Sequence, residues 1–328
     1  MPGMQAIRQH VAGPPETLVL EELPDPRPGE GQVRIAVEAA GVHLLDTVMR
    51  RGDAGGPFPP PELPMTPGRE VAGVVDAVGP DVDPAWVGRR AVAHLGAAHG
   101  GYAELALAPV GALHELPRHL PPDVAVAMIG TGRTAMGILE VAAITADDLV
   151  VVPAAAGGLG ALFVQAARRA GAGVVGLAGG EAKVELVRSL GADVAVDYRA
   201  EGWVERLRAE LGDREPTLLL DGVGGEVARA AFDLLGPASR VVIFGWSSGE
   251  PLQLTTEDLL PRGVQVTPIG PRIIRRPGGW RDLEADALAA AADGTWTPLV
   301  TTFPLAKASD AHRALEDRAT TGKVVLVP

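Results

Sequence analysis

Residues 149–244 carry the feature that most narrows the possible folds. Short apolar runs at 149–153, 173–177, 193–196, 217–221 and 239–244 are separated by helical patterns at 159–170, 181–190, 202–211 and 225–235. Strands that alternate with helices this regularly build a parallel sheet covered by helices on both faces, the doubly wound α/β arrangement. Gly191, just past the second helical pattern, supplies an ordinary helix stop.

The first strand runs into a glycine turn, Ala155-Ala156-Gly157-Gly158-Leu159-Gly160. Read against the dinucleotide fingerprint G-x-G-x-x-G, the first glycine is an alanine and the other two are in place. Gly157 lets a pyrophosphate approach the backbone, and Gly160 lets the helix pack on the strand. An anion here would meet the free N–H groups and the dipole at the start of helix 159–170. A tight turn can need glycines for its own sake. The buried strand before it, the helix after it and the βαβ run that follows favour dinucleotide binding. The second strand ends in Ala178-Gly179-Gly180 with no carboxylate at its tip, where an NAD site usually holds the ribose 2′-hydroxyl. The chain has only three lysines, Lys183, Lys307 and Lys323, and Lys183 lies one turn into the next helix. A small residue plus a cation suits a 2′-phosphate, so NADP is favoured over NAD.

The rest of the chain reads differently. Short β runs at 5–11, 17–20, 33–39, 71–78, 90–94 and 102–108 are punctuated by Gly/Pro clusters, with one short helix at 44–51. This is the pattern of a compact β-barrel-type domain. Helical periodicity follows at 122–128 and 133–143. After 245 come a strand at 264–269, helices at 280–292 and 306–318, and a closing run at 324–327. The expected domains are 1–124 with 271–328, and 125–270.

Composition removes several functions. Net charge is -12, which argues against nucleic acid and anionic membrane surfaces as partners. There is no cysteine, so disulfides, Cys-ligated zinc and thiol catalysis are excluded. No signal-peptide pattern opens the chain, and the apolar run near 149–164 is too broken to span a membrane, which fits a cytoplasmic location.

Six stretches together resemble one family: AAAGGLG (154–160), EAKVELVRSLGADVAVDYR (181–199), GVHLLDTVMRRG (41–52), PGREVAGVVDAVG (67–79), IFGWSSG (243–249) and LEDRATTGKVVLVP (315–328). The sequence resembles the zinc-free quinone oxidoreductase, zeta-crystallin-like branch of the medium-chain dehydrogenase/reductase superfamily. That resemblance implies a GroES-like catalytic domain and a Rossmann domain that binds NADPH. It implies that Lys183, Tyr198 and Arg318 grip the adenosine 2′-phosphate and stack near it. Ala156, Gly157, Gly158, Leu159, Gly160 and Gly179 would line the pyrophosphate and ribose. Gly222, Val223, Phe244, Gly245 and Ser247 match strand-end positions near the ribose and nicotinamide. Thr134 matches a threonine near the nicotinamide, although the leucine that precedes it in the family is Arg133 here.

Zinc-dependent relatives carry a ligand histidine in a GHE motif, and this chain has Gly68-Arg69-Glu70. His43, His94 and His99 lack the spacing of a strong metal motif, so no metal is expected. His43 stands where many members have asparagine, and Val48 where several have tyrosine. The imidazole suits either of two roles: a proton donor near neutral pH, or a group that makes one hydrogen bond and holds position. Asp46 either orients His43, or caps the helix, or faces Arg50 or Arg51. The loop 52–64 would form a lip of the substrate cleft.

The expected activity is an NADPH-dependent, zinc-independent transfer of hydride to a quinone or an α,β-unsaturated carbonyl. The alternatives are a double-bond reductase of secondary metabolism and a non-catalytic NADPH-binding protein. A homodimer paired through strand 264–269 is expected, because an exposed strand edge needs cover.

Overall fold

The computed structural model of the chain describes residues 3–53, 62–270 and 278–328. Alternating burial marks the strands of the first part. β1 (Gly3–Gln9) and β2 (Leu18–Pro24) pair as an antiparallel hairpin. A seven-stranded sheet follows. It is built from β3 (Gln32–Val42), β4 (Glu70–Val78), β5 (Arg90–His94), β6 (Leu105–Pro109) and β7 (Leu113–Glu115), together with β14 (Val300–Pro304) and β15 (Lys323–Val327) from the far end of the chain. Its order is β14-β15-β3-β4-β5-β7, with β6 also on β3. β3 changes register against β4 in two places, and such bulges bend a sheet toward a barrel. Val33, Ile35, Val71, Val75, Ala93, Leu113 and Leu326 fill the core beneath it.

Helix α1 (Leu44–Arg51) stops at Gly52, whose φ of 77° suits a left-handed cap. Helix α2 (Pro122–Ala127) packs on β3, β4 and β15. A π-helical turn, Met128–Gly132, then leads into α3 (Arg133–Ala142). The whole stretch Pro122–Ala142 is long and apolar enough to cross a membrane by length and composition, and 56% of its most apolar window is buried in the fold.

The second part holds the parallel sheet. Val and Leu at every position of β8 (Leu149–Val152) leave it no polar face, so it must be covered on both sides. With β9 (Gly173–Ala178), β10 (Val194–Asp197), β11 (Leu218–Asp221), β12 (Arg240–Ile243) and β13 (Gln265–Pro268) it forms the order β10-β9-β8-β11-β12-β13. All five pairings are parallel. This is the doubly wound order in which the sheet reverses direction at its first strand. Helices α4 (Gly158–Arg169), α5 (Glu181–Ser189), α6 (Trp203–Leu211) and α7 (Gly225–Asp233) make the crossovers. Helix α8 (Thr256–Leu259) precedes β13.

The two compact units are Met1–Thr131 with Ala287–Pro328, and Gly132–Asp286. The first boundary falls in the π turn, later than the expected 124/125, because α2 packs on strands of the first sheet. The second falls at 286/287, inside α9 (Gly279–Ala292), later than the expected 270/271. Arg133 of α3 ion-pairs with Glu284 and lies 4.8 Å over the Trp280 ring, which ties the start of α9 to the second unit. Helix α10 (Ala308–Glu316) closes the first unit. Strands β7 and β14 are absent from the sequence reading. The first is three residues long and the second, VTTFP, is too polar to show as an apolar run.

Candidate functional site

In the second unit the sequence-selected residues gather on one edge of the sheet. Ala156 to Gly160 follow β8, Gly179 and Lys183 follow β9, and Tyr198 follows β10. Gly222 and Val223 follow β11, and Phe244, Gly245 and Ser247 follow β12. These are the carboxyl ends of parallel strands, where ligands of such sheets bind. Thr134 lies in the first turn of α3.

The glycine turn is tight in the way a fingerprint requires. A methyl on Gly160 would lie 2.3 Å from the Ala154 carbonyl oxygen and 2.7 Å from Ala155 Cα, so the helix can approach the strand only without one. Gly157 caps α4 with no side chain, so no capping side chain takes up the first amides of the helix, where an anion can bind. The neighbouring loops are pinned to each other. Asp221 Oδ1 accepts from the N–H groups of Val223 and Gly224, each at 2.9 Å. Gly222 and Val223 carbonyls accept from Ser247 and Ser248 at 3.0 and 2.9 Å. The Phe244 ring covers Gly222 and meets Phe163 edge-on, with centroids 5.4 Å apart.

At the tips of β9 and β10 a methyl on Gly179 would lie 3.0 Å from Tyr198 Oη and 2.7 Å from Arg199 Nε. Asp197 accepts the backbone N–H of Arg199 at 2.9 Å. The N–H of Gly180 holds this carboxyl below the usual carboxylate range, aided by the N–H and charge of Arg199.

The first unit contains a buried charge cluster around His43. His43 is the N-cap of α1, and Asp46, three residues on, accepts the His43 backbone N–H at 2.8 Å. Asp46 therefore caps the helix and holds the backbone of His43. The ring is held from elsewhere: His43 Nε2 lies 2.6 Å from Glu70 Oε1, and Lys323 Nζ lies 2.7 Å from Glu70 Oε2. Glu70 and Lys323 are buried, whereas the His43 side chain keeps 23% of its surface open. Both contacts are at ion-pair distance, the one to His43 being a charge pair when the imidazole is protonated. Burial alone would raise the Glu70 carboxyl. The charges of His43 and Lys323 outweigh it and hold the carboxyl well below its usual range. Two glycines make room for this carboxylate. A methyl on Gly130, in the π turn, would lie 1.5 Å from Oε1, and one on Gly41 would lie 2.3 Å from Oε2.

A second chain of polar groups ends on Asp46. Arg50 is buried, and Glu316 grips it at 2.7 and 3.2 Å. Its Nη1 lies 3.4 Å from His312 Nδ1, His312 Nε2 lies 3.2 Å from Tyr102 Oη, and Tyr102 Oη lies 3.1 Å from Asp46 Oδ2. Arginine can only donate and a carboxylate can only accept. The protons therefore run one way, with His312 accepting at Nδ1 and donating at Nε2, and Tyr102 donating to Asp46. Arg69 Nε stands 3.4 Å from Asp46 Oδ1. Burial raises the Asp46 carboxyl, and the charges of His43 and Arg69 bring it below its usual range.

Among the described residues no group of three His, Asp or Glu could hold a metal ion. Arg318 lies in the first unit just beyond α10, exposed and at a φ of 55°. Most of loop 52–64 lies outside the described residues. Of its acids, Asp53 pairs with Arg51 at 2.7 Å, and Glu62 is exposed. Sequence reasoning did not find Glu70, Lys323, His312, Tyr102 or Arg199. The scarcity of lysine pointed at Lys323, and the sequence could have marked it as a buried cation in an otherwise apolar strand.

Residues 29–118 match the family described as alcohol dehydrogenase GroES-like domain, and residues 158–283 match zinc-binding dehydrogenase. A 2-haloacrylate reductase from a Burkholderia species is 33% identical, with 97% of both chains covered. The quinone oxidoreductase of Sus scrofa is 30% identical over 99% of this chain and 98% of its own. The crystal structure of Escherichia coli quinone oxidoreductase complexed with NADPH superposes with a TM-score of 0.85 at 29% identity, covering 99% of this chain and 100% of that one. The paired domain matches in this order, together with quinone oxidoreductases matched over their full length, give the assignment: the chain belongs to the quinone oxidoreductase branch of the medium-chain dehydrogenase/reductase superfamily and is an oxidoreductase.

Proposed function

We propose that the protein is an NADPH-dependent reductase that passes hydride to a quinone or to the β-carbon of an α,β-unsaturated carbonyl without zinc. The observation that carries this reading is the strand, glycine turn and helix at 149–169, whose close packing over Gly160 and open helix start suit a pyrophosphate. NADPH supplies the hydride when bound. Lys183 and Tyr198 would hold its 2′-phosphate, a role the family resemblance also gives Arg318, and the loops after β11 and β12 would hold its nicotinamide half. The Escherichia coli relative solved with NADPH supports the choice of nucleotide.

The first unit does not suit zinc. Arg69 puts a fixed cation between Gly68 and Glu70. The Asp46 carboxylate already serves His43, Tyr102 and Arg69, and the Glu70 carboxylate already faces His43 and Lys323. A dication would add charge to a cluster whose acceptors are engaged. A conjugated acceptor needs no metal, because the charge that develops on it is delocalised and one hydrogen bond can meet it.

His43 is the chain's candidate for meeting the acceptor, with Asp46 and Glu70 fixing its backbone and ring. The relative that reduces 2-haloacrylate favours a second reading within the same chemistry, a small conjugated acid as acceptor. Oxidation of NADPH, followed at its absorbance with a panel of quinones, enones and acrylates, tests the function. Turnover with at least one class is expected, and none with any class would overturn the reading. In His43→Asn, kcat should fall, and its pH profile separates the two roles. A proton donor takes a limb of that profile with it, whereas a positioning group lowers kcat at every pH alike.

We further propose a homodimer paired through β13. It is the last strand of the parallel sheet, with Gln265 and Pro268 exposed.

A further inference from the structure

We infer that Arg199 is a determinant of nucleotide choice, laying its guanidinium over Gly179 to take the 2′-phosphate. This rests on the NADPH reading above and adds a residue to it. The argument starts from crowding. Gly179 is buried at the tip of β9, and a methyl there would lie 2.7 Å from Arg199 Nε, 3.1 Å from Arg199 Cζ and 3.0 Å from Tyr198 Oη. A guanidinium and a phenol hydroxyl thus lie side by side on a residue of the strand tip that has no side chain. The second strand of a doubly wound sheet presents the adenosine ribose at this place.

What holds Arg199 there is an acid on the neighbouring strand. Asp197 ends β10 and lies opposite Ala178 of β9. A carboxylate left free at this edge would repel a phosphate. Here it accepts the N–H of Arg199 at 2.9 Å and that of Gly180, and so forms the turn that carries Arg199. Tyr198 N–H donates to the Ala178 carbonyl at 3.0 Å and locks the same turn to β9.

The guanidinium itself is available. Arg199 is exposed, and among the described residues no ion pair closes on it. Asp197 feels its charge and that of Arg206. Lys183 stands in the first turn of α5, with Glu181 exposed beside it. Arginine presents a planar fork of donors that fits phosphate, and such charge-assisted bonds are the strong ones.

The test uses the whole protein and four probes: NADPH, NADH, 2′,5′-ADP and 5′-AMP. The last two report the phosphate without the nicotinamide. Wild type, Arg199→Ala, Arg199→Lys and Gly179→Ala are titrated calorimetrically. Arg199→Ala should weaken NADPH and 2′,5′-ADP by about 10- to 100-fold and leave NADH and 5′-AMP within about twofold. Arg199→Lys should restore part of the loss, since the charge returns without the fork. Gly179→Ala should shift selectivity in the same direction by pushing the fork aside. If Arg199→Ala keeps the wild-type ratio of NADPH to NADH affinity, Arg199 is a surface residue and this inference falls alone. If wild type binds neither nucleotide, or binds both equally, the NADPH reading falls and takes this inference with it.

Discussion

At the scale of single residues, His312 has one protonation state open to it. Arg50 aims a donor at Nδ1, so a second proton there would face a cation inside the fold. Burial, with Arg50 adding to it, pushes the imidazole down to about 4 from an ordinary value of 6.5, although Asp46 and Glu316 pull the other way. A group depressed in this way binds fewer protons folded than unfolded. Its contribution is therefore complete above about pH 6.5 and lost as pH falls toward about 4, amounting to roughly 3 kcal/mol. His99 is lowered too, by burial and by Arg69, and adds loss in the same direction. Asp46 and Glu70, both depressed, act at lower pH, below the ordinary carboxylate range. Urea midpoints measured from pH 7.5 to 4.5 should fall, and His312→Gln should flatten much of that slope. An unchanged slope in the variant would mean that the ring is not what titrates. Nothing in the sequence around His312 announced this role, because its partners come from α1 and from the strand-linking residue Tyr102. Pattern reading sees spacing within one element, and this chain of donors crosses three.

At the scale of elements, Glu70 opens β4 and Lys323 opens β15, and their contact joins two strands that both pair with β3. Removing one partner leaves the other charge buried and alone. Lys323→Met or Glu70→Gln should each cost about 3–5 kcal/mol, and the double variant should be less destabilised than the two single losses added together. Chemical denaturation of the four proteins checks this, and strict additivity would show that the two do not act as a pair. The elements themselves were largely legible. The helix over 44–51 and all five strands of the βαβ run were read within a residue or two of their observed limits, because apolar periodicity and glycine stops dictate both. What escaped reading depends on contacts between distant parts. The π turn at Met128–Gly132 is shaped where Gly130 meets the Glu70 carboxylate, and β14 exists because β15 offers it a parallel partner.

For the whole molecule, the open flank of the parallel sheet makes the strongest demand. Among the described residues β13 pairs with β12 alone, and unpaired strand edges invite a second copy. Light scattering should give twice the chain mass of 33.8 kDa, and a single-chain mass would remove the dimer proposal. The parallel sheet, with helices between its strands, follows from the alternation in the sequence. The place where one unit gives way to the next did not, since the gap between the helical patterns at 122–128 and 133–143 does not show that the first of them packs on the strands of the first sheet.

The first unit is discontinuous, and this bears on how the chain is made. The parallel sheet is contiguous in Gly132–Asp286 and can form as it leaves the ribosome. The other sheet cannot. β15 fills the gap between β14 and β3, so the edge of β3 that it covers stays open throughout the synthesis of the second unit. For that whole interval Glu70 has no ammonium beside it. The nascent unit carries a half-built site until β15 emerges, so synthesis of the second unit is a period when an open strand edge needs protection from its neighbours.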